Sequence, residues 1–134
     1  TLAFQNLVVG RLVCCQQAGK RMLAAGRGSI INIVSIAGLT SLGRSHLAYS
    51  MGMAGAAQRT RELSSEWAAK GVRVNAIVCA QLLNAELEKH IAADPTLGDT
   101  YLRGIPMGAW ATPTTSRAWR FFSPPTPQRG SPAR

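Results

Sequence analysis

Three polar side chains in this sequence stand near the ends of regular stretches: Ser35, Tyr49 and Asn6. An alcohol, a phenol and a carboxamide each donate and accept hydrogen bonds, and tyrosine is among the side chains used for general acid–base catalysis. Ser35 closes an apolar run, Tyr49 falls in the first turn of the helical stretch that follows, and Asn6 lies in an earlier one. In open α/β sheets, sites form at the carboxyl ends of strands, which is where Ser35 stands. Singly, each residue has an ordinary use: a serine closing a strand forms a turn, and a tyrosine on a helix packs. The constellation is the informative unit.

The elements that would position these groups are legible. Residues 2–25 read as a helix, since Leu2, Leu7, Leu12, Ala18, Met22 and Leu23 recur at helical spacings. Lys20 and Arg21 suit its C-terminal end, and Gly26 and Gly28 stop it. Residues 29–35 (SIINIVS) are short, β-branched and almost wholly apolar. That composition predicts a strand covered on both faces. Residues 38–43 read as a loop. Residues 46–69 predict a second helix, with Ala48, Met51, Ala56, Leu63 and Trp67 among its apolar positions and Arg59, Arg61, Glu62 and Glu66 on a solvated side. Gly71 ends it, and residues 72–78 (VRVNAIV) predict a second buried strand.

Strand, long helix, strand is a βαβ crossover, so the two strands should be parallel. Preceded by another long helix, the order helix-strand-helix-strand is a slice of a doubly wound parallel α/β sheet. Two strands do not complete such a sheet, and the chain begins at Thr1 rather than Met, so it is expected to start mid-domain. Residues 84–103 predict further helix. From Pro113 the composition changes: five of the seven prolines fall in residues 113–134, without helical or strand periodicity. Disorder is expected over 114–134.

Composition bounds the function. Fifteen Lys and Arg against six Asp and Glu give a net charge of +9. Much of the excess sits on the tail as Arg117, Arg120, Arg129 and Arg134, with no acid there. A nucleic-acid site places its cations on a folded face, so no nucleic-acid partner is expected. Cys14, Cys15 and Cys79 fit neither a metal spacing nor a disulfide framework, and the adjacent pair reads as buried helix packing. The apolar runs are interrupted by Arg11 or by glycines, so no membrane span is expected, and a cytoplasmic location follows by default.

Several stretches resemble the short-chain dehydrogenase/reductase family. RGSIINIVSIAGL is similar to its strand ending in the catalytic serine, and AYSMGMAGAAQRTRELSSEWAAKGVRVNAI to its catalytic helix and next strand. QNLVVGRLVCCQQAGKRML resembles the helix carrying its asparagine, and PMGAW the segment before its last helix. The likeness covers roughly residues 4–113. It implies a partial Rossmann fold: the catalytic, C-terminal half of an NAD- or NADP-dependent oxidoreductase that interconverts an alcohol and a carbonyl. By this resemblance Tyr49 is the general acid/base, Ser35 holds the substrate oxygen, and Asn6 anchors a water in the proton relay. The substrate would be a small alcohol or ketone, with a weak lean toward sugars, polyols or oxoacyl groups, and the intact family member a homo-oligomer.

The sequence also departs from the family. The motif Tyr-x-x-x-Lys is here Tyr49-Ser50-Met51-Gly52-Met53. The family's lysine binds the nicotinamide ribose and its charge favours tyrosinate, whereas Met53 brings neither donor nor charge. The Pro-Gly after the second strand is Cys79-Ala80, and Leu82 and Asn84 stand where carboxamide contacts are made. By position alone, Met53, Cys79, Ala80, Leu82 and Asn84 are the cofactor-side residues. The glycine-rich turn that seats a pyrophosphate on a helix N-terminus is absent from the sequence. Residues 114–132 can be encoded so that a one-base shift restores a helix resembling the family's last, so a deletion near Pro113 is expected. These departures lead to an expectation of impaired activity, with a catalytically inactive remnant or helix-mediated interaction fragment as the alternative.

Overall fold

The structure is a computed structural model and describes residues 2–112. The expected disorder over 114–134 lies outside those residues. Two compact units form, the first ending at Ala80 and the second beginning at Gln81.

The first unit opens with an unbroken helical path in three parts. Leu2–Phe4 (α1) is α-helical, Gln5–Gly10 is π-helical, and Arg11–Ala24 (α2) is α-helical again. Gly26 then takes a φ of +65°, a left-handed conformation open to glycine at no steric cost. Strand β1 (Gly28–Ser35) follows, then a tight 3-10 turn at Ile36–Gly38 and helix α3 (Leu47–Trp67). Gly71, at φ +81°, turns the chain into strand β2 (Val72–Cys79). The two strands pair in parallel, in register from Gly28 with Val72 to Ser35 with Cys79. The order helix-strand-helix-strand and the parallel pairing are as the sequence predicts.

Alternation along the strands sends Ile30, Asn32 and Val34 to one face together with Val72, Val74 and Ala76. Both long helices lie on that face. At one end Trp67 packs with Val72 and Val74, joined by Met22 and Leu23 of α2, Ile30, and Leu63 of α3. At the other end Val34, Met53 and Ala56 form a second cluster, joined by Leu7 and Ala76.

Three expectations need correction. Strand β1 is covered on one face only: Ile31 and Ile33 are each 47% exposed, because both helices occupy the other side. A β-branched run therefore signalled a sheet core whose second covering layer is not among the described residues. Cys15 is buried while Cys14 is exposed, since neighbouring helix positions point about 100° apart. Arg59 is not on a solvated side. Its guanidinium donates to the carbonyl of Val8 in the π-helical segment (3.4 Å) and to Asn32 Oδ1 on β1 (3.4 Å). Asn32 is itself held by Thr60 Oγ1 (3.0 Å), so a polar seam joins all three elements.

The second unit holds two short helices, α4 (Ala85–Ala93) and α5 (Pro95–Arg103). Asn84 caps α4 by accepting from the N–H groups of Glu86 and Leu87. Asp94 caps α5, and Pro95 supplies a first helical position that needs no N–H. Leu82 forms an isolated parallel bridge with Ala111.

A Cβ added at Gly19 would collide with the ring of Trp67, so the indole occupies the space the glycine leaves. Trp67→Ala empties that space and is expected to lower the unfolding free energy by about 3–5 kcal/mol, read from guanidinium denaturation followed by circular dichroism.

Candidate active site

Ser35 ends β1 in extended geometry, and its Oγ accepts from the N–H of Ala37 at 3.2 Å. That bond ties the strand to the turn. It uses one lone pair of the hydroxyl and leaves the proton and the second lone pair for another group. Cys79 stands directly beside Ser35 in the ladder. Its thiol is exposed, so the carboxyl ends of the two strands present an alcohol and a thiol side by side.

Tyr49 lies in the first turn of α3, 38% exposed. Its ring meets that of His46 edge to face, with centroids 5.6 Å apart. His46 Nδ1 lies 3.0 Å from Ser50 Oγ, one helical turn on. The imidazole is thereby pinned from one side and braces the phenol ring from the other. Neither His46 nor Ser50 was singled out from the sequence. Their spacing of four residues, at the start of a predicted helix, was the available signal.

Helix α3 is set against Ser35's turn by residues that lack side chains. A Cβ on Gly38 would lie 2.5 Å from the carbonyl carbon of Met53 and 2.6 Å from the nitrogen of Ala54. A Cβ on Gly52 would lie 2.8 Å from Cβ of Leu7. The turn after Ser35 thus touches α3 one helical turn beyond Tyr49, and the residue next to Asn6 touches it between Tyr49 and Met53. Asn6 itself is exposed on the π-helical segment. Such segments break the regular backbone ladder and recur at functional sites. The structure thus carries Ser35, Tyr49 and Asn6 on three elements that meet around α3.

The cofactor-side positions are occupied differently. Met53 is 5% exposed and packs into the apolar cluster with Val34 and Ala56. It faces the core and offers no polar atom to a ribose. Cys79 and Ala80 are exposed at the end of β2. In the second unit, Leu82 is in its bridge and the side-chain oxygen of Asn84 is committed to the α4 cap. The residues present do not fit a nicotinamide ribose: the group that would hold its hydroxyls is a buried thioether.

Residues 2–121 match the family described as Enoyl-(Acyl carrier protein) reductase. The chain belongs to the short-chain dehydrogenase/reductase family. It is 40% identical over 113 residues to a D-threitol dehydrogenase of Mycolicibacterium smegmatis, covering 84% of this chain and 42% of that protein. It is 38% identical over 106 residues to a galactitol 2-dehydrogenase (L-tagatose-forming) of Cereibacter sphaeroides, covering 78% and 41%. A solved structure from Beutenbergia cavernae, described as an NAD(P)-dependent gluconate 5-dehydrogenase with NADP bound, superposes with a TM-score of 0.75 at 32% identity. That match covers 86% of this chain and 46% of the other. The chain therefore spans less than half the length of these relatives, and its fold is part of the Rossmann sheet of the short-chain dehydrogenase/reductases. The family's cofactor is NAD or NADP.

Two substitutions test the packing of the site. Met53→Lys restores the family's residue type but asks a core position to take an ammonium. It is expected to cost about 1–3 kcal/mol in chemical denaturation, whereas Met53→Leu, which conserves volume, costs less than about 1.5 kcal/mol. Gly38→Ala forces backbone apart on both sides and is expected to lower the thermal midpoint by several degrees, roughly the effect of 1 kcal/mol in a domain of this size.

Proposed function

We propose that this chain carries the proton-handling half of an alcohol/carbonyl oxidoreductase, and that by itself it does not turn over. The observation that carries the reading is the packing of α3 across the turn that follows Ser35. On this reading it sets the phenol of Tyr49 over the strand end that carries the alcohol of Ser35. A carbonyl or hydroxyl oxygen between them would accept from Ser35 and exchange a proton with Tyr49, while Asn6 holds a water behind the phenol. In this family NADH or NADPH would supply the hydride when a carbonyl is reduced, and NAD or NADP would accept it when an alcohol is oxidised. Among the described residues Met53, at the position of the family's lysine, is buried and offers the ribose no donor, and no step is drawn through the cofactor.

The substrate class that suits the relatives is a small polyhydroxy alcohol or its ketone, as the threitol and galactitol dehydrogenases act on. No helix of the described residues is long and apolar enough to cross a membrane. A cytoplasmic protein without a nucleic-acid partner, which assembles as a homo-oligomer when intact, completes the reading.

A second reading, a non-catalytic interaction fragment, is favoured by one observation. Leu2 and Phe4 on α1 and Leu47 and Met51 on α3 are large apolar side chains left exposed on elements that touch. Such a patch favours association.

The test combines the chain with NADH or NADPH and small ketones, or with the oxidised cofactors and tetritols or hexitols, and follows nicotinamide absorbance. No change above a protein-free control is expected, and turnover at about 1 s⁻¹ or faster overturns the reading. Size-exclusion chromatography separates the second reading: concentration-dependent association supports it, and a monomer at all concentrations contradicts it.

A further inference from the structure

The segment that carries Asn6 is π-helical over Gln5–Gly10, although α1 before it and α2 after it are α-helical. Such segments are rare, and a side chain inserted into the helical ladder is one cause of a break in it. Helix α3 supplies such a side chain from a single face. Gly52, Gly55 and Arg59 follow one another at i, i+3 and i+7, and each meets Leu7 or Val8. A Cβ on Gly52 would lie 2.8 Å from Cβ of Leu7, and one on Gly55 would lie 3.5 Å from Cγ2 of Val8. Arg59 Nη1 donates to the carbonyl of Val8 at 3.4 Å. In a regular α-helix that carbonyl takes the amide four residues on. Here the amide of Arg11, three residues on, and the guanidinium both donate to it.

Arg59 is itself held in place. Its Nη2 donates to Asn32 Oδ1 at 3.4 Å, Asn32 Nδ2 donates to Thr60 Oγ1 at 3.0 Å, and the Thr60 hydroxyl donates to the carbonyl of Ala56 at 2.9 Å. Each donor in that chain has one acceptor, so the Asn32 amide keeps its oxygen toward the guanidinium. Among the described residues no carboxylate pairs with Arg59, and its charge is directed at a main-chain carbonyl and an amide oxygen. Such charge-assisted bonds are stronger than neutral ones. We propose that Arg59 is a positioning residue for Asn6: its grip on the carbonyl of Val8 keeps residues 5–10 in π-helical register, and the register sets the direction in which Asn6 leaves the helix. Return to α-helical register would shift the residues before Val8 by one helical position, a rotation of about 100°, and carry Asn6 off the side it now occupies. The inference rests on the reading in which Asn6 holds a water behind Tyr49.

The test is NMR of the full chain and of Arg59→Met, which keeps a long side chain without a donor. Three signals report the register: nuclear Overhauser contacts from α-protons to the amides four residues on across 5–10, the contact between the Leu7 methyls and the Gly52 α-protons, and the side-chain amide shifts of Asn6. In Arg59→Met the α-helical contacts are expected to appear, the Leu7–Gly52 contact to be lost and the Asn6 signals to move, while the contacts of the Trp67 indole with Val72 and Val74 persist. Arg59→Lys is a point charge without the two-pronged fork, and is expected to show both sets of contacts at once. A merely structural arginine would lower the denaturation midpoint of Arg59→Met and leave all three signals as they are, and that result overturns the proposal. Should Arg59→Met fail to fold, Arg59→Lys decides, and an unchanged π-helical pattern there overturns the proposal. Nicotinamide turnover does not enter the readout, so the register can fail while the reading of Ser35 and Tyr49 stands, and that reading can fail while the register holds.

Discussion

The structure depends on one close approach: the backbone of α3 at Met53 and Ala54 lying directly on the turn that follows Ser35. Residue 38 has no side chain, and any other residue there would occupy the space the helix backbone fills. The contact fixes the height of α3 over the carboxyl end of β1. Tyr49 is one helical turn away from it, so the phenol inherits its position from a glycine rather than from a bond of its own. Gly52 repeats the device against Leu7 and brings in the segment that carries Asn6. Three side chains far apart in sequence are thereby placed by two absent ones.

What lies beneath is a stack of unequal parts. Apolar packing is concentrated at both ends of one sheet face, around Trp67 and around Met53. Between them runs the polar seam of Cys15, Asn32, Thr60 and Arg59, in which Cys15 Sγ lies 3.5 Å from Asn32 Oδ1. Arg59 reaches two elements, while its Nε is buried without a partner among the described residues. A buried donor left unsatisfied costs about 1–3 kcal/mol, so the seam contributes alignment more than stability. It holds the π-helical segment against α3 through the carbonyl of Val8.

Much of this was legible in the sequence. Helical periodicity gave the two long helices, β-branched runs the two strands, and glycines at 26 and 71 their ends, because these signals are local. Ser35 at the end of β1 and Tyr49 at the start of α3 followed from the same reading. What escaped it depends on tertiary context. Ile31 and Ile33, read as buried, are half-exposed, since no second covering layer is among the described residues. Arg59 read as solvated because charge suggests water, and only the carbonyl of Val8 and the amide of Asn32 show why it turns inward. The methionine in the lysine position was visible as a lost charge. Its burial against Val34 was not, and that turns a missing contact into a core residue. His46 escaped because nothing local distinguishes a histidine that braces a tyrosine from one that faces solvent.

Under the proposed function Tyr49 and Ser35 act on one substrate oxygen, and the direct measurement is the nuclear Overhauser contact between the Tyr49 ring protons and the β-protons of Ser35 and Cys79 in the folded chain. The account predicts a cross-peak to at least one of those strand ends, together with the expected one to His46. A spectrum in which Tyr49 contacts His46 but neither Ser35 nor Cys79 would contradict it.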